Sequence, residues 1–181
     1  LLALATLEGN SEPPSVTPVP MQRMMLQLQH DIEALSAGRH TVSMTCDAAV
    51  SVCGAELELL SAFSNLASNA VRYTPDGGRI SLDWSVKDGH GVFSVTDTGI
   101  GIAPEHIPRL TERFYRVDRS RSRDTGGTGL GLAIVKHVLS RHGAELQVTS
   151  ERGKGSTFSA SFPPERTVVR SAPVSDVERA A

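Results

Sequence analysis

Asn65, Asn69 and Arg72 stand four and then three residues apart, a spacing that puts them in one narrow arc of a helix. Two carboxamides offer oxygen to a cation, and a guanidinium offers a fork of donors to phosphate. Tyr73 follows directly. Asp97-Thr98-Gly99-Ile100-Gly101 places a carboxylate at the end of a strand pattern, and its two glycines let a backbone approach a flat ligand closely. In Arg113-Phe114-Tyr115-Arg116-Val117-Asp118 two aromatics form a hook between arginines that face an anion. Gly126-Gly127-Thr128-Gly129-Leu130-Gly131-Leu132 opens a helix whose exposed N–H groups and macrodipole favour an anion.

Taken alone, each cluster has an ordinary reading: solvated asparagines, a tight turn, a helix with a basic face. The glycine run is not a dinucleotide fingerprint. That motif follows a hydrophobic strand, and here Arg119-Ser120-Arg121-Ser122-Arg123-Asp124 precedes it. No Gly-x-x-x-x-Gly-Lys-Ser/Thr occurs, and Gly153-Lys154-Gly155-Ser156 reads as a hairpin turn. The run is therefore a phosphate cradle of another kind. Arg109, Arg113, Arg116, Arg119, Arg121 and Arg123 fill the stretch before it, a plausible lid over phosphates spanning residues 102–126.

The elements that must position these groups follow from periodicity. Residues 21–37 are apolar at helical spacing, with Met24, Leu28, Ile32 and Leu35 on one side, and Gly38 is a stop. Val42, Met44 and Cys46 alternate as in a strand. Residues 55–73 form a helix with Leu59, Phe63, Leu66 and Ala70 opposite the Asn65 stripe, ended by the turn cluster from Thr74 to Gly78. Strands are predicted over 79–87 and 92–96, separated by Asp88-Gly89-His90-Gly91. Short helical turns cover 104–117, and a second strong helix covers 130–141, capped by Gly143. Strands at 144–150 and 156–162 flank the Gly153 turn. Helices and strands mix without regular alternation, so the fold class is α+β: a two-layer sandwich with helices on one face of a mixed sheet.

The chain has 181 residues and a net charge of −2, which fits one domain with tails and argues against a general nucleic-acid or anionic-membrane binder. Its longest clean apolar run, residues 1–5, is far short of the roughly 20 residues that span a bilayer. Cys46 and Cys53 fit neither a redox pair nor a zinc knuckle and read as free thiols. His137 and His142 are five apart, off the spacing of a helical metal pair, and read as structural. Aromatics make up 4% of the chain, so aliphatic residues are expected to build the core. A chain starting at Leu1 reads as a piece of a longer protein, with residues 9–20 a proline-rich linker and the tail after Pro163-Pro164 disordered.

In order, the four clusters resemble the N, G1, F and G2 boxes of the histidine-kinase ATP-binding domain, whose superfamily includes gyrase, the Hsp90 chaperone and the mismatch-repair ATPase. The resemblance runs from Met21 to Phe162. The wording of residues 101–118 and 125–137 is similar to the phosphate-regulon branch of that family. In that branch the dimerisation helix ends in a segment similar to residues 1–8.

The resemblance implies a Bergerat-type fold, ATP and magnesium as cofactors, and a role for each matching residue. Asp97 would accept the adenine amino group, flanked by Gly99 and Gly101, and Tyr73 would stack on the ring. Asn69 and Asn65 would hold magnesium, and Arg72 would neutralise phosphate. Gly127, Thr128, Gly129, Leu130 and Gly131 would wrap the triphosphate with backbone amides. Arg113 and Arg116 are phosphate contacts from the lid, and no residue stands out as a catalytic base. Gyrase-like ATPases carry a water-activating Glu where this chain has Asn65, so binding without fast hydrolysis is expected.

The family's phospho-accepting His precedes Glu, and no His here does. The partners implied are therefore the protein's own dimerisation domain, residues 1–8 being the end of its helix, and a response regulator. Residues 21–163 would be the catalytic domain, monomeric alone, within a homodimeric inner-membrane sensor whose catalytic part is cytoplasmic. The alternative is a non-catalytic nucleotide module that governs phosphatase output. A serine kinase of the anti-sigma type fits poorly with Phe114-Tyr115.

Overall fold

In a computed structural model, residues 17–117 and 129–169 are described. Helix α1, Met21–Ser36, buries Met21, Met24, Met25, Leu28 and Ile32. Leu35 shares their angular position but is 50% exposed. Ala37, at φ +49°, ends the helix in the left-handed conformation and donates its N–H to Glu33 and Ala34.

Helix α2, Glu56–Tyr73, buries Leu59, Ala62, Phe63, Leu66, Ala67, Ala70 and Val71, a stripe three and four residues apart. Helix α3, Gly131–Arg141, lies antiparallel to α2. Its first residue meets Asn65, and Arg141 clasps the half-buried Glu58 with N–O distances of 3.1 and 3.2 Å.

These helices cover one face of a five-stranded sheet. Its strands are β2 (Thr41–Cys46), β4 (Arg79–Lys87), β5 (His90–Asp97), β6 (Glu145–Glu151) and β7 (Gly155–Phe162), in the order β2-β4-β5-β7-β6. Only β2 and β4 pair in parallel, so the sheet is mixed, and the expected fold class is borne out. Along β4, Ile80, Leu82 and Trp84 are buried while Arg79 and Ser81, which alternate with them, are exposed. The other face is rich in hydroxyls that pair across strands, Ser94 with Ser159 at 3.1 Å and Thr96 with Thr157 at 3.0 Å. The β4–β5 hairpin turns at Asp88 and Gly89, both at positive φ, as a right-handed twist requires of a two-residue loop.

As expected, aliphatic residues build most of the core, and the scarce aromatics concentrate at its centre. Phe63 stacks on Phe93 with ring centroids 4.0 Å apart, and Phe162 meets the edges of both Phe63 and Trp84. Full burial of one such side chain is worth about 1.5–3 kcal/mol. The two cysteines are free.

A second, three-stranded sheet changes the expected boundaries. Strand β3, Val50–Cys53, pairs antiparallel with β1, Pro18–Val19, on one side and with β8, Thr167–Val169, on the other. The expected linker thus ends in a strand, whose Val19 is 2% exposed. The expected disordered tail begins with an ordered 3-10 turn at Pro164–Arg166 and then β8. Both segments are held because β3 offers hydrogen-bonding groups along both edges, and the Gly91 N–H donates to the Thr167 hydroxyl at 2.8 Å. Residues 1–16 and 170–181, with the helix end, the rest of the linker and the rest of the tail expected there, lie outside the described residues.

Candidate functional site

Asp97 is the last residue of β5 and is 6% exposed. Burial pushes its carboxyl pKa above the ordinary carboxylate range, while the backbone N–H groups of Gly99 and Ser156 donate to it and pull the other way. The Gly99 bond is 2.8 Å. A carboxylate held this way keeps acceptor capacity for a donor presented at the strand end.

The backbone closes around it where glycines permit. A β-carbon on Gly99 would stand 2.3 Å from the Tyr73 carbonyl oxygen, and one on Gly155 would stand 1.9 Å from the Asp97 carbonyl oxygen. Gly101, at φ +65°, lies against Glu151 in the same way, at 2.0 Å. The loop is fastened to the β6–β7 turn by Gly153 N–H to Ile100 carbonyl at 2.8 Å and Ile102 N–H to Ser150 hydroxyl at 2.8 Å.

The other clusters join this loop in turn. The Ile100 N–H donates to the Tyr73 carbonyl at 3.1 Å, linking the Asp97 loop to the end of α2. Asn65 donates from Nδ2 to the Ser61 carbonyl at 2.8 Å, and its Oδ1 faces Gly131, 2.7 Å from where a β-carbon would stand. Asn69, one turn on and half-buried, has no side-chain hydrogen bond among the described residues. The Phe114 N–H donates to the Gly129 carbonyl at 3.0 Å, joining the hook to the glycine run.

Among the described residues no side chain caps the start of α3. Its first N–H groups therefore remain donors beside Asn65, as anion binding at a helix start requires. Leu130, next to them, is 5% exposed, its side chain turned into the core.

Of the residues expected from sequence, Asn65, Asn69, Tyr73, Asp97, Gly99, Gly101, Gly129, Leu130 and Gly131 therefore lie along one continuous belt of contacts. Arg72 is exposed beside Tyr73, whose side chain is 41% exposed. Arg113 is exposed and Arg116 half-buried on either side of Phe114 and Tyr115. Gly127, Thr128 and the lid from residue 118 lie outside the described residues.

Sequence reasoning missed Gly155, Ser150 and Ser156, which hold the Asp97 loop from a neighbouring hairpin. Only the positive φ expected of a hairpin glycine hinted at the first. Among the described residues no group of three or more His, Cys, Asp or Glu could hold a metal ion. The donor set fits a hard cation that takes one or two amide oxygens and completes its shell from phosphates and water. No described helix is long and apolar enough to cross a membrane.

A family model described as histidine kinase-, DNA gyrase B-, and HSP90-like ATPase matches residues 54–166. The phosphate regulon sensor protein PhoR of Pseudomonas aeruginosa is 52% identical over 182 residues, covering 100% of this chain and 40% of that protein. Full-length ShkA, solved in complex with AMPPNP, superposes with a TM-score of 0.79 at 28% identity, covering 96% of this chain and 35% of that one. The mycobacterial sensor histidine kinase MprB superposes with a TM-score of 0.70 at 28% identity, covering 81% of this chain and 96% of that one. The chain thus spans about two-fifths of the curated relative's length.

Proposed function

The chain belongs to the histidine kinase-, DNA gyrase B- and HSP90-like ATPase family, and on that premise we propose that it is the catalytic ATP-binding domain of a sensor histidine kinase of the phosphate-regulon type. It takes ATP with magnesium and passes the γ-phosphoryl group to a histidine on the protein's own dimerisation domain. From there the group goes to a response regulator. The catalytic domain sits on the cytoplasmic side of an inner-membrane, homodimeric sensor and is monomeric on its own.

The observation that carries this reading is the belt around Asp97: a buried carboxylate, walled by glycine backbone, joined through Tyr73 to an asparagine stripe and through Asn65 to an uncapped helix start. Asp97 accepts the adenine amino group, a charged hydrogen bond worth about 1.5–3 kcal/mol. Tyr73, at the rim, stacks on the ring, and Gly99 and Gly101 admit its edge. Gly127, Thr128, Gly129, Leu130 and Gly131 present amides to the phosphates. Arg72, Arg113 and Arg116 neutralise their charge.

Asn69, with its uncommitted carboxamide, is the magnesium ligand. Asn65 is the second, its amide nitrogen donating to the Ser61 carbonyl while its oxygen faces the start of α3. Magnesium, when bound, screens the phosphate charge that develops during transfer.

Transfer breaks the bond from the γ-phosphorus to its bridging oxygen and forms one to an imidazole nitrogen of the acceptor. ADP leaves, and the imidazole gives up its proton. Asn65 is a poor base, so water is not activated and the phosphoryl group is kept for the protein acceptor.

Calorimetric titration of a slowly hydrolysed ATP analogue, with and without magnesium, tests the reading on this chain and on Asp97→Asn. One-site binding that the substitution weakens about tenfold or more, the loss of one charged hydrogen bond, supports it. A well-folded chain that binds no nucleotide sinks it, and the non-catalytic nucleotide module with it.

A further inference from the structure

The 3-10 turn Pro104–Arg109 folds back over Tyr115. The His106 Nδ1 and the Tyr115 hydroxyl are 2.7 Å apart, well within hydrogen-bond distance. The Arg109 guanidinium lies 4.3 Å from the centre of the Tyr115 ring. Arg109 is itself fixed, donating from Nε and Nη2 to the Glu112 carboxylate at 3.1–3.2 Å. Beneath them Leu110 is 9% exposed, and Ile107 and Tyr115 pack against the hydrophobic core. The Tyr115 ring is thus held at its hydroxyl, on its face and from below.

What this arrangement holds in place is the next residue back. Phe114 has φ +62°, a conformation that bulky residues avoid, and its side chain is 62% exposed. Its N–H is spent on the Gly129 carbonyl. Gly129, at φ +72°, has no β-carbon where one would come within 2.9 Å of the Phe114 α-carbon. A strained residue with a solvated side chain stays put only if its neighbours fix it, and Tyr115 is the neighbour that is anchored.

We propose that His106 is a positioning residue for nucleotide binding: by holding the Tyr115 hydroxyl it seats Phe114 on Gly129, and so keeps Arg113 and Arg116 beside the glycine run that opens α3. The inference rests on the nucleotide reading above. It adds a residue with no phosphate or base to touch, acting through one hydrogen bond. When that bond is lost, the seated arrangement is a smaller fraction of the population, and apparent affinity falls by the same fraction.

The test uses the whole 181-residue chain with fluorotyrosine in place of tyrosine. The sequence has two tyrosines, Tyr73 and Tyr115, so two fluorine resonances report on the two places, and Tyr73→Phe assigns them. A slowly hydrolysed ATP analogue with magnesium is titrated into wild type, His106→Ala, His106→Asn, Tyr115→Phe and the double variant His106→Ala/Tyr115→Phe.

In His106→Ala the Tyr115 resonance is expected to move while the Tyr73 resonance does not. Affinity is expected to fall about three- to tenfold, the range of one lost neutral hydrogen bond. Tyr115→Phe should lose the same, and the double variant no more than either single. His106→Asn should restore affinity, because its carboxamide can meet the same hydroxyl. Wild-type binding with His106→Ala unchanged or tighter overturns this inference alone, as does weakening that Asn fails to rescue. Absence of binding by the wild type overturns the nucleotide reading, and this inference with it.

Discussion

The backbone N–H of Ala55 donates to Nε2 of His142 across 3.0 Å, tying the start of α2 to the end of α3. His142 is 0% exposed, and its other ring nitrogen, Nδ1, lies 2.8 Å from the Val138 carbonyl. Only the neutral ring with its proton on Nδ1 serves both partners. Burial accordingly lowers its pKa, with Arg166 and Arg141 acting the same way, against the Val138 carbonyl and the Glu58 carboxylate 4.0 Å away.

This contact has a signed pH dependence. Between the lowered folded pKa of His142 and its ordinary value of about 6.5, the unfolded chain binds more protons than the folded one. Stability therefore rises with pH there. The contribution is complete above about pH 6.5 and is lost as pH falls through the folded value. Urea midpoints measured from pH 7.5 down to 5 should drop for wild type and drop less steeply for His142→Gln, whose amide oxygen can still accept from Ala55. Equal slopes would rule the account out.

Asp97 carries the opposite sign. Its raised pKa means that its share of stability is present below its ordinary value and is lost as pH rises through the folded one. Burial disfavours the charged form of this carboxyl. Asp97→Asn should then melt at or above the wild-type temperature without nucleotide while losing affinity. A clear drop in melting temperature would show that the carboxylate stabilises the fold instead.

Gly131→Ala should act through Asn65. The new methyl group would stand 2.7 Å from Asn65 Oδ1, so the carboxamide must turn and give up its bond to the Ser61 carbonyl. The expected cost is about 0.5–1.5 kcal/mol, and Asn65→Ala combined with Gly131→Ala should cost less than the sum of the two. Full additivity in denaturant unfolding would mean that the two residues do not share this contact.

The glycines of the β6–β7 turn beside the Asp97 loop should rank by space rather than by φ. Gly153 is at φ +81° with nothing near its missing β-carbon, so alanine there meets only left-handed strain of about 1–2 kcal/mol. Gly155→Ala meets the same kind of strain and also backbone oxygen at 1.9 Å, which the sheet cannot yield without parting Asp97 from Ser156. Unfolding titrations should find Gly155→Ala much the worse of the two, and equal losses would refute the ranking.

Much of this arrangement is legible before any coordinates. The α2 stripe appears because helical periodicity sorts Leu59, Phe63 and Leu66 from Asn65 and Asn69 over five turns. The β4–β5 hairpin announces itself at Asp88-Gly89. Strand β3 does not, since four residues with no turn cluster around them carry too little pattern, and its partners lie some thirty and more than a hundred residues away in the chain. β8 stays hidden for a different reason. Val168 and Val169 are 37% and 58% exposed, so the strand is held by main-chain pairing, which apolar patterning does not register. The His106–Tyr115 contact spans nine residues, a distance that matches no helix or strand repeat.

The three-stranded sheet gives the molecule a mechanical polarity. Tension applied at Thr17 falls first on the two residue pairs between β1 and β3 and on Val19 and Met21 in the core, and then passes through Cys53 and Gly54 into the first turn of α2. From there α2 is an unbroken strut of 18 residues, about 27 Å long at 1.5 Å per residue, with Tyr73 and the Asp97 loop at its far end. A load at Thr17 thus reaches that loop as the displacement of a stiff rod, and the bonds that would yield first are the two β1–β3 pairs rather than those around Asp97.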